Sequence, residues 1–392
     1  MTTPVRRPPL PALTGLRALA AVWVVLFHYR EDVLALVPAL APLDTFLGAG
    51  YLGVDLFFPL SGFVLAYTYA DAMSTFRWRR AGEFVRNRFA RVWPVHALTL
   101  HVDLVVAACV GTLGVGADGH RRTLPAYVEN LAMVHTWWND RPSFNAPAWS
   151  ISSEWFAYLC APVLFVLAAR LRRGPTALLL AAASYGAMLA VFATMALPNG
   201  NLEHMFYVRI MGEFVGGMLL CLAWLRGGVR MERAAVVLPL TLVVVAVLPA
   251  ASSGHYWAAP ALGLAVAGLA ASRGRVARAL SVRWMVLGGE ASYALYLTHV
   301  LVQPLVRSAT GWAAGSPLRS VLALAGIVLG LAGIAWVVHT RVEQPARRWL
   351  QRVGRTRSDR QADRPVEPWG GGRAEPSPEV QAPREGLVRV PV

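Results

Sequence analysis

Two polar residues in the first apolar segment, Arg17 and His28, have the side-chain types and the spacing that chemistry inside a membrane requires. Eleven positions separate them, which is nearly three helical turns, so both lie on one helix face about 16 Å apart along the axis. Ionisable residues are costly in hydrocarbon and usually line a cavity or a pathway. A snorkelling arginine or an interfacial histidine explains either residue alone, but the pair favours a functional site.

A carboxylate in a later apolar segment is expected at a similar depth. Ser150, Glu154 and Tyr158 follow one another four residues apart and form one helix stripe near the start of their segment. A histidine and a carboxylate at one membrane depth can act as a general base and the group that orients it. We therefore predict that Glu154 holds the His28 ring in one tautomer and stabilises its imidazolium form.

Other polar residues fall on helix faces that would point into the same bundle. Arg88 and Arg91 are three residues apart and suit bidentate phosphate binding, although arginines that face lipid phosphates would show the same spacing. Arg209 and Glu213 are four residues apart and predict an intramembrane ion pair, either catalytic or structural. The remaining candidates, on two further apolar segments, are Ser61, Tyr293, Tyr296 and His299.

The elements that must position these residues are membrane helices. The chain has 392 residues, of which 56% are hydrophobic and only 15% are charged, whereas a soluble protein would carry about 25% charged residues. Long apolar runs recur from end to end, which predicts an all-α, polytopic membrane bundle of about ten transmembrane helices. The predicted spans are 13–30, 51–70, 92–112, 149–169, 175–197, 205–225, 234–250, 255–271, 284–306 and 318–340.

The basic residues sort strongly to one side of these spans. All 37 are arginine, and the formal net charge is +15. Counted along the predicted topology, 29 arginines lie on the side of both termini and 6 lie on the opposite side. This asymmetry predicts that both termini are cytoplasmic. It also explains the positive charge without a nucleic-acid partner, and we predict none.

Three regions complete the predicted organisation. Residues 1–12 form a cytoplasmic N-terminal segment, 13–350 form the membrane domain, and 351–392 form a disordered basic cytoplasmic tail. The stretch 123–138 predicts a helix too short to span, at the outer interface or re-entering the bundle, with Trp137 and Trp138 as interface anchors. The three cysteines fit neither a metal site nor a disulfide framework and are expected to be small packing residues.

Six short motifs together resemble the membrane acyltransferase 3 family, the integral-membrane O-acyltransferases that depend on acyl-CoA. The motifs occur in one order, on consistent predicted membrane sides, over residues 13–350. They are Arg17-x10-His28, Gly53-Val-Asp-Leu-Phe-Phe-Pro-Leu-Ser61-Gly62-Phe, Arg88-x-x-Arg91-x-x-Pro94, Trp149-Ser-Ile-Ser-Ser-Glu154, Ser292-Tyr-Ala-Leu-Tyr-Leu-Thr-His299 and Glu343-Gln-Pro345.

The resemblance implies a ten-helix bundle that transfers an acyl group from cytoplasmic acyl-CoA to a hydroxyl, with His28 as the catalytic base. Acyl-CoA would be a co-substrate, and no tightly bound cofactor is expected. Pro59 and Ser153 stand where relatives more often have aliphatic residues, but neither change removes a chemical group. We also expect no extracytoplasmic hydrolase-like domain. The donor-binding residues expected on this basis are Arg17, Ser61, Arg88 and Arg91.

The sequence is compatible with several kinds of acceptor. A hydroxyl of a cell-envelope glycan, a glycolipid or a macrolide-type sugar would suit an acetyl-transferring enzyme of the bacterial plasma membrane. Possible acceptor-side or structural residues are Arg209, Glu213, Tyr296 and His299. A proton-coupled transporter or flippase is the alternative, because intramembrane ionisable residues suit that class equally well. The inner arginines and the lack of internal repeats argue against it, and a purely structural bundle would leave the polar residues unexplained.

Overall fold

The computed structural model describes residues 7–115, 119–139, 141–194, 206–247 and 256–353, and within them the chain is almost entirely helical. The helices up to residue 131 are α1 (Pro11–His28), α2 (Arg30–Leu36), α3 (Asp44–Gly48), α4 (Leu52–Tyr69), α5 (Trp78–Cys109) and α6 (Leu124–Leu131). The strands found in these ranges, β1 (Gly114–Val115) and β2 (Arg121–Arg122), form one short antiparallel pair.

The second half continues the bundle. Its helices are α7 (Trp149–Ala168), α8 (Gly174–Thr194), α9 (Phe206–Leu225), α10 (Val237–Val247), α11 (Ala259–Ala271), α12 (Arg275–Leu280), α13 (Arg283–Thr298), α14 (Gln303–Ala313), α15 (Pro317–Val338) and α16 (Gln344–Val353). Short 3-10 turns connect several of them, at Pro38–Leu43, Ala146–Ala148, Met231–Val236, Tyr256–Ala258 and Val300–Val302, and a π-helical turn at His339–Glu343 joins α15 to α16.

Seven helices within the described ranges are long and apolar enough to cross a membrane, and a bent pair makes an eighth candidate. This confirms the all-α membrane bundle, whereas the predicted count of ten spans is not reached by length and composition alone. The predicted span 284–306 is wrong as a single helix, because the chain bends by 52° between α13 and the helical stretch Val300–Ala313. Of the predicted tail, residues 351–353 are helical, and 354–392 lie outside the described residues.

Glycines let the helices that carry the polar residues approach each other closely. A Cβ atom on Gly62 of α4 would stand 2.0 Å from the backbone oxygen of Phe214, and one on Gly217 of α9 would stand 2.0 Å from that of Pro59. On α13, a Cβ atom at Gly289 would lie 1.8 Å from the backbone oxygen of Thr14. The backbones of α4 and α9, and of α1 and α13, can therefore touch only because these residues have no side chain.

Candidate active site

Three spaces follow one another along the polar face of α1. We call the end where α1 finishes outer and the end where it begins inner. An outer cavity of about 220 Å³ lies beside His28, a chamber of about 50 Å³ lies beside Glu154, and an inner cavity of about 250 Å³ lies below Arg17. The outer cavity and the chamber share Val54 and Tyr296, and the chamber and the inner cavity share Arg17 and Leu60. The predicted polar face of α1 therefore lines one sequence of spaces through the bundle.

His28 is the last residue of α1 and is half-buried at the outer cavity. Its Nδ1 lies 2.9 Å from the carbonyl oxygen of Val24. A carbonyl oxygen can only accept a hydrogen bond, so Nδ1 carries the proton and Nε2 keeps its lone pair. This is the tautomer that a general base acting through Nε2 needs.

The neighbour of the His28 ring is His299, which is fully buried at the bend after α13. His299 Nδ1 lies 3.2 Å from the Leu295 carbonyl oxygen and donates to it, so its Nε2 is an acceptor. That Nε2 lies 3.3 Å from His28 Nδ1 and can share its proton with the Val24 carbonyl. The Tyr29 hydroxyl donates to the His299 carbonyl and fixes the bend from the other side.

Glu154 makes different contacts from those predicted. Its carboxylate accepts hydrogen bonds from the Ser61 hydroxyl at 2.6 Å and the Tyr158 hydroxyl at 2.5 Å. Within the described residues no hydrogen bond joins it to His28. Glu154 lies five residues, or about 7 Å, along α7 from Trp149, which itself lines the outer cavity with His28. The structure thus places the carboxylate one level deeper than the imidazole, and His299 takes the position expected for it.

Arg17 lies at the boundary between the chamber and the inner cavity. Its Nε is 3.4 Å from the Ser292 hydroxyl, and its guanidinium stands 5.8 Å from the centre of the Phe57 ring. Glu154 lines the same chamber and attracts this cation electrostatically. Arg17, Ser61 and Glu154 therefore meet in one buried space, as the polar stripes of three separate helices suggested.

The two predicted phosphate-binding arginines are in unequal settings. Arg91 is ion-paired with Glu343, a carboxylate that is only 1% exposed, and it stands 5.4 Å from the centre of the Tyr293 ring. Arg88 stands beside the aromatic rings of Tyr69 and Phe84, with its Nε unbonded within the described chain. Arg91 is neutralised by its partner, whereas Arg88 keeps charge available for an anion.

A further arginine, Arg347, belongs to α16, the last helix of the described residues. Arg347 lines a pocket with Arg91 and Glu343, and it is repelled electrostatically by Arg88 and Arg17. The π-helical turn His339–Glu343 precedes it, and His339 Nδ1 lies 3.0 Å from Glu343 Oε2. The sequence signal for this region was the Glu343-Gln-Pro345 motif, which carries the family resemblance but does not by itself indicate a role for Arg347.

Arg209 confirms the predicted intramembrane ion pair and adds a stronger one. Its Nε lies 3.9 Å from Glu213 Oε1, but 3.0 Å from Asp55 Oδ1, and its Nη2 lies 2.7 Å from Asp55 Oδ2. Asp55 is fully buried and was missed, because a lone acid among apolar residues of α4 suggests nothing about its partner. Held by two hydrogen bonds, Arg209 lines the outer cavity beside Trp149.

The outer cavity is closed by α13 and by the chain between α6 and α7. The Tyr296 hydroxyl lies 2.7 Å from the Ser150 hydroxyl and donates to the Pro147 carbonyl at 3.1 Å. The predicted helix over 123–138 ends at Leu131, and the residues after it fold onto α7. Trp138 is 64% exposed, as an interface anchor would be. Trp137 instead is partly buried against the core and donates to the Ser152 carbonyl.

The chain is similar to known acyltransferases. A family model described as an acyltransferase domain matches residues 10–339. Acyltransferase MdmB of Streptomyces mycarofaciens is 30% identical over 381 residues, which cover 88% of this chain and 93% of the relative. Peptidoglycan O-acetyltransferase OatA of Listeria monocytogenes is 23% identical over 57% of this chain and 35% of its own length. No solved structure matches the chain.

Proposed function

This chain belongs to the membrane acyltransferase 3 family, and on that premise we propose that it transfers an acetyl group from cytoplasmic acyl-CoA to a hydroxyl of a cell-envelope glycan, a glycolipid or a macrolide-type sugar. The observation that carries the proposal is His28, whose Nε2 lone pair lies at a cavity that adjoins the buried chamber. A base in that position can act on an acceptor in the outer cavity and on a thioester that arrives from the chamber.

The donor enters from the inner side in this proposal. The phosphates of acyl-CoA bind at Arg88 and Arg347, for which the described part of the chain shows no direct ion pair, whereas Arg91 is paired with Glu343. The pantetheine arm extends past Arg17 into the chamber, where Ser61 and Glu154 lie. No tightly bound cofactor takes part, and acyl-CoA is consumed as a co-substrate.

The transfer itself takes place beside His28. His28 Nε2 removes the proton from the acceptor hydroxyl as its oxygen attacks the thioester carbonyl carbon. The carbon–sulfur bond then breaks, and the CoA sulfur leaves as a thiolate that takes the proton back from the imidazolium. His299 holds the ring through Nδ1 during both steps, because its Nε2 accepts from that nitrogen.

The experiment uses the full chain in lipid nanodiscs with radiolabelled acetyl-CoA. We expect wild-type protein to release CoA thiol slowly to water and faster when a sugar acceptor is added, with the label in the sugar as an ester. A protein that binds acetyl-CoA but neither releases CoA nor labels any hydroxyl would overturn the proposed donor.

The membrane setting is tested separately. We propose a multi-pass protein of the bacterial plasma membrane with the inner cavity facing the cytoplasm, which the arginine asymmetry supports. Reporter fusions after Arg80 should be cytoplasmic and fusions near Asn139 external. Finding both reporters on one side would contradict the assignment of the donor to the inner arginines.

A further inference from the structure

One wall of the outer cavity is formed by residues that lie outside the six family motifs. It is built from residues 132–139 and 141–148, which follow α6 and lead into α7 and which we call the outer loop. Thr136, Asn139 and Ser143 of this loop line the cavity that also contains His28. A sequence pattern favoured an interface anchor here, whereas the structure makes the loop part of the site.

The outer loop is held in a fixed shape. Met133 has a backbone φ of 59° and Phe144 one of 37°, both in the left-handed region that residues with a side chain rarely adopt. The Thr136 hydroxyl donates to the Ser152 hydroxyl at 2.8 Å, and the Asn145 amide donates to the Leu297 carbonyl at 2.8 Å. These bonds tie the loop to α7 and α13 and keep the unusual backbone in place.

This loop presents His135, which is 4% exposed and lines the outer cavity. Its ring stacks on that of His96, with centroids 6.0 Å apart and planes 6° apart. His96 is held in turn by the Asn130 carbonyl, 2.7 Å from its Nε2. Neither ring nitrogen of His135 completes a hydrogen bond within the described residues, although the Ala148 carbonyl lies close to the ring. A buried polar group in this state calls for a partner from the cavity.

The chemistry of His135 indicates which partner. Burial, together with nearby His96 and Arg121, keeps the pKa of His135 well below its ordinary value. The ring is therefore neutral near pH 7, so one nitrogen donates and the other accepts. A hydroxyl group has the same dual character, and neighbouring hydroxyls on one molecule could meet both nitrogens.

The rest of the lining narrows the class of ligand. Tyr51, Trp149 and Tyr296 offer aromatic surfaces, and Thr136 and Asn139 offer neutral polar groups. Among the described residues that line the cavity there is no carboxylate. The lining also contains Arg209, whose charge is paired with Asp55, and the exposed Arg141. Flat apolar surfaces with a few neutral hydrogen-bonding groups suit a sugar ring, which has apolar C–H faces and a rim of hydroxyls.

We propose that the outer loop is the acceptor-binding wall and that His135 binds a hydroxyl of a carbohydrate acceptor, while His28 deprotonates the hydroxyl that becomes acylated. The inference rests on the proposed function and adds to it the part of the chain that binds the acceptor and the residue that recognises it.

The test measures transfer from acetyl-CoA to methyl β-D-glucopyranoside and methyl α-L-rhamnopyranoside by the full chain in nanodiscs, with glycerol as a hydroxyl compound that has no ring. His135→Phe keeps the ring shape and removes both nitrogens. We expect the KM for the glycosides to rise roughly 3- to 10-fold, as one lost hydrogen bond gives, with the KM for acetyl-CoA unchanged. His135→Gln should recover part of the effect, because an amide both donates and accepts. The control is His101→Phe, since His101 bonds Tyr127 outside the cavity and should leave both KM values unchanged.

Other results would each contradict a specific part of the proposal. An unchanged glycoside KM in folded His135→Phe would overturn the role of His135. Acetyl-CoA turnover without any glycoside product, or glycerol acetylated as well as the glycosides, would overturn the carbohydrate class. Failure of the wild type to consume acetyl-CoA would instead overturn the proposed function itself.

A second measurement tests the same role of His135 in the case that the His135→Phe variant does not fold. His135→Cys labelled with N-ethylmaleimide, compared with wild type to subtract the native cysteines, should react more slowly in the presence of the methyl glycosides. An equal labelling rate with and without saturating glycoside would contradict binding at this residue.

Discussion

The outer and inner ends of the site carry their polar groups on different kinds of backbone. At the outer end, His28 ends a helix, His299 lies at a 52° bend, and His135 lies in a loop with two left-handed residues beside it. At the inner end, Arg17 and Arg88 lie within the continuous helices α1 and α5. The three imidazoles named here thus lie at or near irregular backbone, whereas these two guanidiniums lie on regular helix.

The difference follows from what each end has to do. A base must present one particular lone pair to one particular hydroxyl, and a carbonyl oxygen four residues earlier in the chain, that of Val24 for His28 and that of Leu295 for His299, fixes the tautomer. A phosphate site needs several fixed charges, which helix faces supply by spacing alone. Substitutions at the outer end are therefore expected to change turnover, whereas those at the inner end are expected to change donor binding or stability.

The largest effect should come from the outer end. His28→Ala should lower the rate of acyl transfer by about 10²- to 10⁴-fold, because it removes the general base. Acetyl-CoA binding, measured by calorimetry on the same nanodiscs, should stay unchanged since the donor site lies at the inner end. Turnover near the wild-type level in His28→Ala would remove the base from the mechanism.

A stability effect should distinguish the inner pair from the other inner arginines. Arg91→Gln leaves the buried Glu343 carboxylate without its arginine partner and should lower the free energy of unfolding by about 3–5 kcal/mol, whereas Arg91→Gln with Glu343→Gln should recover most of it. Thermal unfolding in detergent measures this, with Arg79→Gln as the control because its exposed pair with Glu83 contributes less than about 1 kcal/mol. A stable Arg91→Gln variant with weakened donor binding would show instead that Arg91 binds the phosphates of the donor, as predicted from the sequence.

A smaller effect on binding should come from the unpaired inner arginines. Arg88→Gln and Arg347→Gln should each raise the KM for acetyl-CoA about 10- to 100-fold, since a hydrogen bond to a charged group contributes about 1.5–3 kcal/mol. The acceptor KM should stay constant, and lysine at either position should rescue only partly. Arg173→Gln, an exposed arginine on the predicted inner side, is the matched control. An equal rise in Arg173→Gln would indicate a general charge effect.

The smallest effect should come from the partner of the base. His299→Phe should lower turnover about 3- to 10-fold, as loss of one neutral hydrogen bond would. The loss should disappear in a His28→Ala background, because His299 acts through that ring. Glu154→Gln should instead add to the loss from His28→Ala, since its carboxylate bonds Ser61 and Tyr158. Non-additive losses for His28 and Glu154, with additive losses for His28 and His299, would restore the pairing predicted from the sequence.

Helix periodicity explains which parts of the site could be predicted. The shared face of Arg17 and His28 and the pairing of Arg209 with Glu213 both depend on spacing within a helix, and the structure shows both. Spacing gives the face of a residue but not its partner on another helix. Asp55 and Glu343 were therefore missed, although each is the closest ion-pair partner of a predicted arginine.

The outer groups were harder to predict for a second reason. The span 284–306 is long enough to cross a membrane and was therefore predicted as one helix, although Pro304, at the start of α14, is a signal that a new helix begins after His299. His135 follows a short amphipathic helix, and its side-chain direction depends on the positive φ of Met133, which a non-glycine residue does not signal in sequence. The bundle could thus be predicted from apolar length, whereas the geometry of the acceptor side depends on local backbone exceptions.

The separate anchoring of the outer loop has an evolutionary consequence. Its bonds run to Ser152 and Leu297, and none of those described above reaches the inner arginines. If the outer loop binds the acceptor as proposed, mutations between Met133 and Phe144 would change the molecule that is acylated and leave the proposed acyl-CoA site intact. An ancestral enzyme of this architecture could diversify its products by drift within one short stretch of chain, and exchange of that stretch between relatives is a direct route to new specificities.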